Sequence, residues 1–179
     1  MRPRRPQRQL TTLLVFALCL GAVAFGSPFP ELTLRDQSGT AQTLSAYRGK
    51  IVVLNFWATW CGPCREEMPR LDDLAREYAS KDVVFVAVSL DDAETQPKIP
   101  GFLRKKKIAS LPIWIGASTA ALKQFQLGKM VPATIILDQN GEPIARIMGE
   151  ASRKDITSRL DWLLNGRTGK QPKPLLKNF

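Results

Sequence analysis

The chain has 179 residues, 44% hydrophobic and 23% charged, the proportions of a soluble globular protein with one sizeable core and a short appendage. Its formal net charge of +10 comes partly from residues 1–24, which hold four arginines and no acid; the remaining 22 basic and 16 acidic residues give +6. The only dense basic run, at residues 104–107, is typical of a solvated helix face, so a nucleic-acid partner is not expected.

Residues 1–24 have the pattern of an export signal. A basic segment at residues 2–8 precedes an apolar stretch of 16 residues, 10–25, and an A-x-A-like cleavage site lies at residues 22–24. A membrane span usually needs about 20 apolar residues, so cleavage is expected and retention as an uncleaved anchor is the alternative. The sequence therefore predicts an exported protein, in the periplasm or at the extracytoplasmic face of the membrane, either soluble or N-terminally anchored.

Beyond this segment, strand and helix patterns alternate along the chain. Residues 51–57 and 83–90 predict buried strands, and the amphipathic helix at about 61–79 between them implies parallel pairing with a right-handed crossover. Residues 166–179 are rich in Gly, Lys and Pro and have no period, which predicts a flexible tail. The class is therefore α/β with a mixed central sheet. The other predicted elements are, in chain order, an edge strand at 29–34, a brief strand and helical turn at 43–50, a helix at about 100–107, a short strand at 111–115, a helix at 118–126, a hairpin with strands at 131–138 and 142–148, and a last helix opened by Ser152.

The junction between the first buried strand and its helix carries two cysteines, Cys61 and Cys64, separated by Gly62 and Pro63. The free N–H groups and the dipole of a helix N-terminus stabilise a thiolate, so C-x-x-C in this position indicates thiol–disulfide chemistry. The only other cysteine, Cys19, lies in the segment expected to be removed and is interpreted as apolar filler. A loop this short is a poor structural staple, and no zinc site is expected because the chain has no histidine.

The segment Val53–Pro69, which contains this motif, closely resembles exported thioredoxin-like proteins of the TlpA/ResA type. The N-terminal extension, the insertion after the second buried strand, residues 131–134 and the turn at 137–141 fit the same family. The likeness covers residues 28–165, which we expect to form one domain. It implies a thioredoxin fold with a mixed central sheet, an N-terminal β extension and a strand/helix insertion.

The resemblance also implies catalytic roles. Cys61, at the helix tip, would be the nucleophile, and Cys64, one helical turn further in, would resolve the mixed disulfide formed with a substrate. Pro132 matches the cis-proline that faces the cysteines in this fold, with an ordinary trans-proline as the alternative.

Substrate contacts are expected around the same motif. Val131 would pair its backbone with an extended substrate peptide, and Trp60 would lie on the exposed surface around the thiols. Gly62 and Pro63 allow the tight turn into the helix and border the same surface. Trp57, by contrast, is predicted to pack in the core.

The acid that manages the Cys64 proton is not obvious from the motif. Thioredoxins carry a buried aspartate on the strand before it, and some relatives place a glutamate between the cysteines; the matching positions here hold Asn55 and Gly62. Glu67, three residues after Cys64, matches an acid of the family and is the candidate. The alternative is a glutamate on the helix surface, favoured there by the helix dipole.

The leading hypothesis is a thiol–disulfide oxidoreductase outside the cytoplasm that reduces disulfides of exported proteins such as apocytochrome c. By resemblance, electrons would come from a membrane dithiol donor, and no cofactor or metal beyond the Cys61–Cys64 pair is implied. A disulfide-forming oxidant stays open, because the direction depends on the reduction potential. A peroxiredoxin-like thiol peroxidase is another alternative; Thr59 fits its motif, but the upstream proline is missing. A copper-delivery module would need C-x-x-x-C and a histidine, which the chain lacks.

Overall fold

A mixed β-sheet with helices on both faces forms the protein in the computed structural model, which describes residues 29–178. The signal peptide predicted for residues 1–24, Cys19 included, lies outside the described residues. Within residues 29–178, no helix has the length and apolar character needed to cross a membrane. The strands are β1 (Thr33–Asp36), β2 (Ala41–Thr43), β3 (Ile51–Trp57), β4 (Val83–Ser89), β5 (Ile113–Ile115), β6 (Ala133–Leu137), β7 (Pro143–Gly149) and β8 (Leu175–Asn178). The helices are α1 (Gly62–Tyr78), α2 (Ile99–Lys106), α3 (Thr119–Gln124) and α4 (Arg153–Leu164), with short 3₁₀ turns at 44–47 and 96–98.

The strand order across the sheet is β2-β1-β5-β4-β3-β6-β7-β8. β3 lies near the middle, where it pairs parallel with β4 and antiparallel with β6. Every residue of β3 is buried, which explains why its sequence is a nearly continuous apolar run. The predicted mixed sheet and the parallel β3–β4 pairing are confirmed. The thiols therefore follow the carboxyl end of a central, fully covered strand.

Two hydrophobic clusters hold the helices against the sheet. Successive side chains of a strand point to opposite faces, so Val53 and Trp57 pack with α1, α2 and α4 on one side. Leu54 and Phe56 pack with α3 and the segment around Phe29 on the other side. Because α1 is fixed along its buried face, the position of its N-terminal turn is fixed as well.

The N-terminal β extension is confirmed, but its first strand is not at the edge of the sheet. β1 lies between β2 and β5 and is antiparallel to both, so β2 forms that edge. Residues 29–32, predicted as part of an edge strand, are not strand; Phe29 and Leu32 are instead buried in the second cluster. Gly141, in the β6–β7 turn, makes room for Phe29, since a Cβ there would lie 2.6 Å from the Phe29 ring.

The prediction of a flexible tail over 166–179 is wrong for residues 175–178, which form β8. This strand pairs parallel with Arg146–Gly149 of β7 and covers backbone groups that would otherwise face solvent. Two contacts lead into it: the Arg146 N–H donates to the Pro174 carbonyl at 2.8 Å, and the Arg159 guanidinium donates to the Lys173 carbonyl. The strand is short and mostly exposed, so its sequence carries little signal.

Candidate active site

The two cysteines lie at the first turn of α1 and are joined by a disulfide. Cys61 is the N-cap residue, and its Sγ accepts a hydrogen bond of 3.2 Å from the Cys64 N–H, the interaction that favours a thiolate after reduction. Pro63 lies in the first turn, where a missing N–H costs nothing. Cys61 is 7% exposed and Cys64 0%. Of the two cysteines, only Cys61 therefore keeps any exposed surface.

A proline loop faces the disulfide. The Val131–Pro132 peptide bond is cis, as the resemblance implied. The carbonyl oxygen of Val131 lies 3.7 Å from the Cys61 Sγ, and the Pro132 carbonyl accepts a hydrogen bond of 2.9 Å from the Gly149 N–H. The loop is thus held on the end of β7, with the backbone of Val131 beside the reactive sulfur.

An open groove of about 580 Å³ lies beside the proline loop and is lined by Trp60, Val131 and Met130 among others. Trp60 is 60% exposed and Met130 62%, unusual fractions for large apolar side chains. Pro63 is exposed and Gly62 half-buried, as expected for residues that border a contact surface. The prediction for Trp57 is confirmed, since it is fully buried and packs on the Phe102 ring.

Glu67 is completely buried, so the alternative of a surface glutamate is wrong. Its Oε1 accepts a hydrogen bond of 2.6 Å from the Asn55 Nδ2, and its Oε2 accepts one of 2.9 Å from the Ala151 N–H. Burial raises the pKa of Glu67 to about 7, and the hydrogen bonds from Ala151 and Asn55 offset that rise only in part. Glu67 and Cys64 lie three residues apart on α1 and so share a face of the helix.

Asn55 connects this acid to the strand that follows the proline loop. Its Nδ2 also donates to the Thr134 hydroxyl at 3.1 Å, while its own Oδ1 is buried without a hydrogen-bond partner among the described residues. The residue that replaces the thioredoxin aspartate is therefore a neutral donor to Glu67.

A second buried acid, Asp91, lies in a stretch between the second buried strand and α2 for which the sequence predicts no helix or strand. Asp91 lies two residues beyond the end of β4, is 1% exposed, and accepts hydrogen bonds from Thr59 and Ser89. The available signal was its position, because polar residues just beyond the carboxyl end of a buried strand often serve a site there. Within residues 29–178, no cluster of three or more potential metal ligands occurs.

Comparisons with known proteins agree with this geometry. The AhpC/TSA family matches residues 25–144. The thiol-disulfide oxidoreductase ResA of Geobacillus kaustophilus is 36% identical over 140 residues, 78% of each chain, and the thioredoxin-like protein YneN of Bacillus subtilis is 35% identical over 136 residues, covering 76% of this chain and 78% of its own.

Solved structures show the same fold. A thiol:disulfide interchange protein of the thioredoxin family from Chlorobium tepidum superposes with a TM-score of 0.65 at 23% identity, covering 76% of this chain and 95% of its own. StoA from Bacillus subtilis gives a TM-score of 0.60 at 20% identity, covering 72% and 95%. The predicted thioredoxin fold is confirmed.

Proposed function

Because the chain belongs to the AhpC/TSA family and is a thiol–disulfide oxidoreductase of the ResA type, we propose that it acts outside the cytoplasm as a reductant of disulfides in exported proteins, apocytochrome c among them. The observation that supports the exchange chemistry most is the asymmetry of the pair: Cys61 keeps 7% exposure next to the groove residue Trp60, whereas Cys64 is fully buried. The export pattern of residues 1–24 supports the location.

The proposed cycle starts from the dithiol. The Cys61 thiolate attacks one sulfur of a substrate disulfide, forming a mixed disulfide and releasing the other substrate sulfur as a thiolate. The Cys64 thiolate then attacks the Cys61 sulfur, which forms the Cys61–Cys64 disulfide and releases the second substrate sulfur. Two electrons pass to the substrate, and a membrane dithiol donor returns them to the pair.

Glu67 is the proposed acceptor of the Cys64 proton. A buried thiol needs a base close by, because water does not reach it and burial disfavours the thiolate. A carboxyl whose pKa is raised to about 7 by burial can take a proton and give it back near neutral pH. The acid lies one helical turn from Cys64 and is itself sealed from solvent.

The substrate proposal follows from the groove. An extended peptide could pair with the backbone of Val131, which lies beside the Cys61 sulfur, while Trp60 offers apolar contact. Gly62 and Pro63 leave the approach to Cys61 free of bulky side chains. A partly unfolded exported protein with an accessible disulfide fits this surface.

Trapping tests the proposal. A Cys64→Ser variant, expressed in cells with its export signal, should accumulate mixed disulfides through Cys61 with exported proteins, which non-reducing gels and mass spectrometry identify. Cys61→Ser is the matched control and should trap nothing. Trapping only by Cys61→Ser would reverse the two roles. Rapid consumption of peroxide by the purified dithiol would instead favour the thiol peroxidase.

A further inference from the structure

The segment that carries Trp60 and leads into Cys61 is hydrogen-bonded to the buried carboxylate of Asp91. The Thr59 backbone N–H donates hydrogen bonds to both carboxylate oxygens of Asp91, at 2.9 Å to Oδ2 and 3.2 Å to Oδ1. The Thr59 hydroxyl donates a third, at 2.5 Å to Oδ1. The Ser89 hydroxyl donates to Oδ2 at 2.8 Å and accepts the Asp91 N–H at 2.9 Å. All three residues are less than 9% exposed.

This arrangement ties two strand ends together. The Leu90 N–H donates to the Trp57 carbonyl at 2.8 Å, so the chain leaving β4 is bonded to the chain leaving β3. The Cys61 N–H then donates to the Ala58 carbonyl at 3.1 Å, which closes the turn that delivers the nucleophile. Thr59, at the middle of that turn, is the residue that Asp91 holds.

Chain neighbours of both partners of this contact line the groove. Trp60, next to Thr59, is one lining residue, and Leu90 and Asp92, the chain neighbours of Asp91, are two others. Within residues 29–178, no lysine or arginine forms a salt bridge with Asp91, so its hydrogen bonds to Thr59 and Ser89 are what satisfies the buried oxygens.

We propose that Asp91 is a positioning residue for the exchange reaction. By holding Thr59, it fixes the positions of the Cys61 sulfur and of the Trp60 side chain that lines the groove. Asp91 does not contact the sulfur; it acts through Thr59. This inference rests on the thiol–disulfide activity but not on its direction or its natural substrate. A misplacement of about 1 Å at a reacting centre can cost about 100-fold in rate. Loss of the contacts between Asp91 and Thr59 should therefore lower the exchange rate measurably.

Three variants of the full chain test the proposal. Asp91→Asn keeps the shape but puts an N–H group where an acceptor is needed for Thr59 or Ser89. Thr59→Val removes the hydroxyl while keeping the branched shape, and Thr59→Ser, the matched control, keeps the hydroxyl. The rates of the reduced proteins are measured with oxidised glutathione and with insulin, and KM and kcat are separated for insulin.

We expect Asp91→Asn to lose roughly tenfold in the rate with oxidised glutathione, which reports on the nucleophile. With insulin its KM should rise as well, because the Trp60 side chain that lines the groove moves. Thr59→Val should fall in the same direction by a smaller factor, and Thr59→Ser should stay within about twofold of the wild type. All rates are taken far below each variant's melting temperature, so a loss of stability alone would not move them.

The contrary results are distinct. A folded Asp91→Asn protein with wild-type rates on both disulfides would overturn the proposal. If that variant does not fold, equal rates for Thr59→Val and Thr59→Ser would overturn it. An unmodified protein that exchanges with neither disulfide would count against the proposed function itself.

Discussion

The Asn55 Nδ2 donates a hydrogen bond of 2.6 Å to Oε1 of Glu67, which joins the strand before the thiols to the helix that begins with them. A neutral donor at this place supports the ionised form of Glu67 without fixing it there. Burial still dominates and raises the pKa of Glu67 to about 7. The buried carboxyl of Glu67 can therefore take up or release a proton near neutral pH.

The raised pKa predicts that stability falls between about pH 4.5 and pH 7. The ordinary pKa of the carboxyl is 4.5, and in the folded protein it is about 7. Between these values the folded protein holds a proton that the unfolded chain has released, so this contribution is fully present below pH 4.5 and is lost as pH rises through 7. The expected loss is on the order of 3 kcal/mol. Denaturant unfolding of the oxidised protein from pH 4.5 to 8 measures it.

Two variants isolate the effect, and the absence of histidine leaves the pH window uncluttered. The unfolding free energy of Glu67→Gln should be nearly independent of pH between pH 5 and pH 8. Glu66→Gln, which changes an exposed neighbour, should keep the wild-type slope. A Glu67→Gln protein with the wild-type slope would contradict the assignment.

Asn55→Asp should move the same transition to higher pH. Two carboxyl groups within hydrogen-bond distance cannot both ionise easily, so the pair keeps a shared proton to higher pH than Glu67 alone. The pH midpoint of the stability loss should rise, and so should the pH at which the Cys64 thiol of the reduced protein becomes reactive. Alkylation rates followed by mass spectrometry give the second quantity. A midpoint at or below the wild-type value would contradict this prediction.

The two tryptophans beside the motif should respond in opposite ways. Trp57→Ala empties a fully buried site and should cost about 3–5 kcal/mol of unfolding free energy. Trp60→Ala changes a side chain that is 60% exposed, so stability should change by less than about 0.5 kcal/mol, while KM for a protein disulfide rises. Unfolding curves and insulin reduction check both. An unchanged KM for Trp60→Ala would remove this residue from the substrate surface.

The central elements could be predicted from the sequence because their burial is written in local patterns. β3 and β4 are nearly continuous apolar runs, and the capped turn at Cys61 follows from a C-x-x-C motif at a strand–helix junction. The burial of Glu67 could not be predicted, since its partners Asn55 and Ala151 lie 12 and 84 residues away in the chain. Asp91 was missed for the same reason, because its partner Thr59 lies 32 residues away.

The end of the chain shows the opposite case, where local pattern says little and tertiary pairing decides. Residues 175–178 are mostly exposed, and they form β8 because β7 offers an unpaired edge. Gly149 marks this pairing: its φ is +90°, and a Cβ there would lie 1.9 Å from the Asn178 carbonyl oxygen. No sequence period could reveal that approach.

Gly149→Ala should therefore destabilise the full chain in a way that depends on β8. The clash with Asn178 adds to the cost of a strained backbone, which alone is about 1–3 kcal/mol. In a chain that ends after Pro174, only the backbone cost should remain. Unfolding free energies of the four combinations form a double-mutant cycle, and we expect a coupling of at least about 0.5 kcal/mol. Strict additivity would show that β8 does not press on Gly149.

The reduction potential of the Cys61–Cys64 pair tests the proposed direction of electron flow most directly. It is obtained by equilibrating the purified protein with glutathione or dithiothreitol buffers and counting free thiols. A reductant should lie near the thioredoxin value of about −270 mV, whereas a strong oxidant lies near −120 mV. We predict a reduction potential closer to about −270 mV than to about −120 mV. A potential above about −150 mV would contradict the reductase and make the protein a disulfide-forming oxidant.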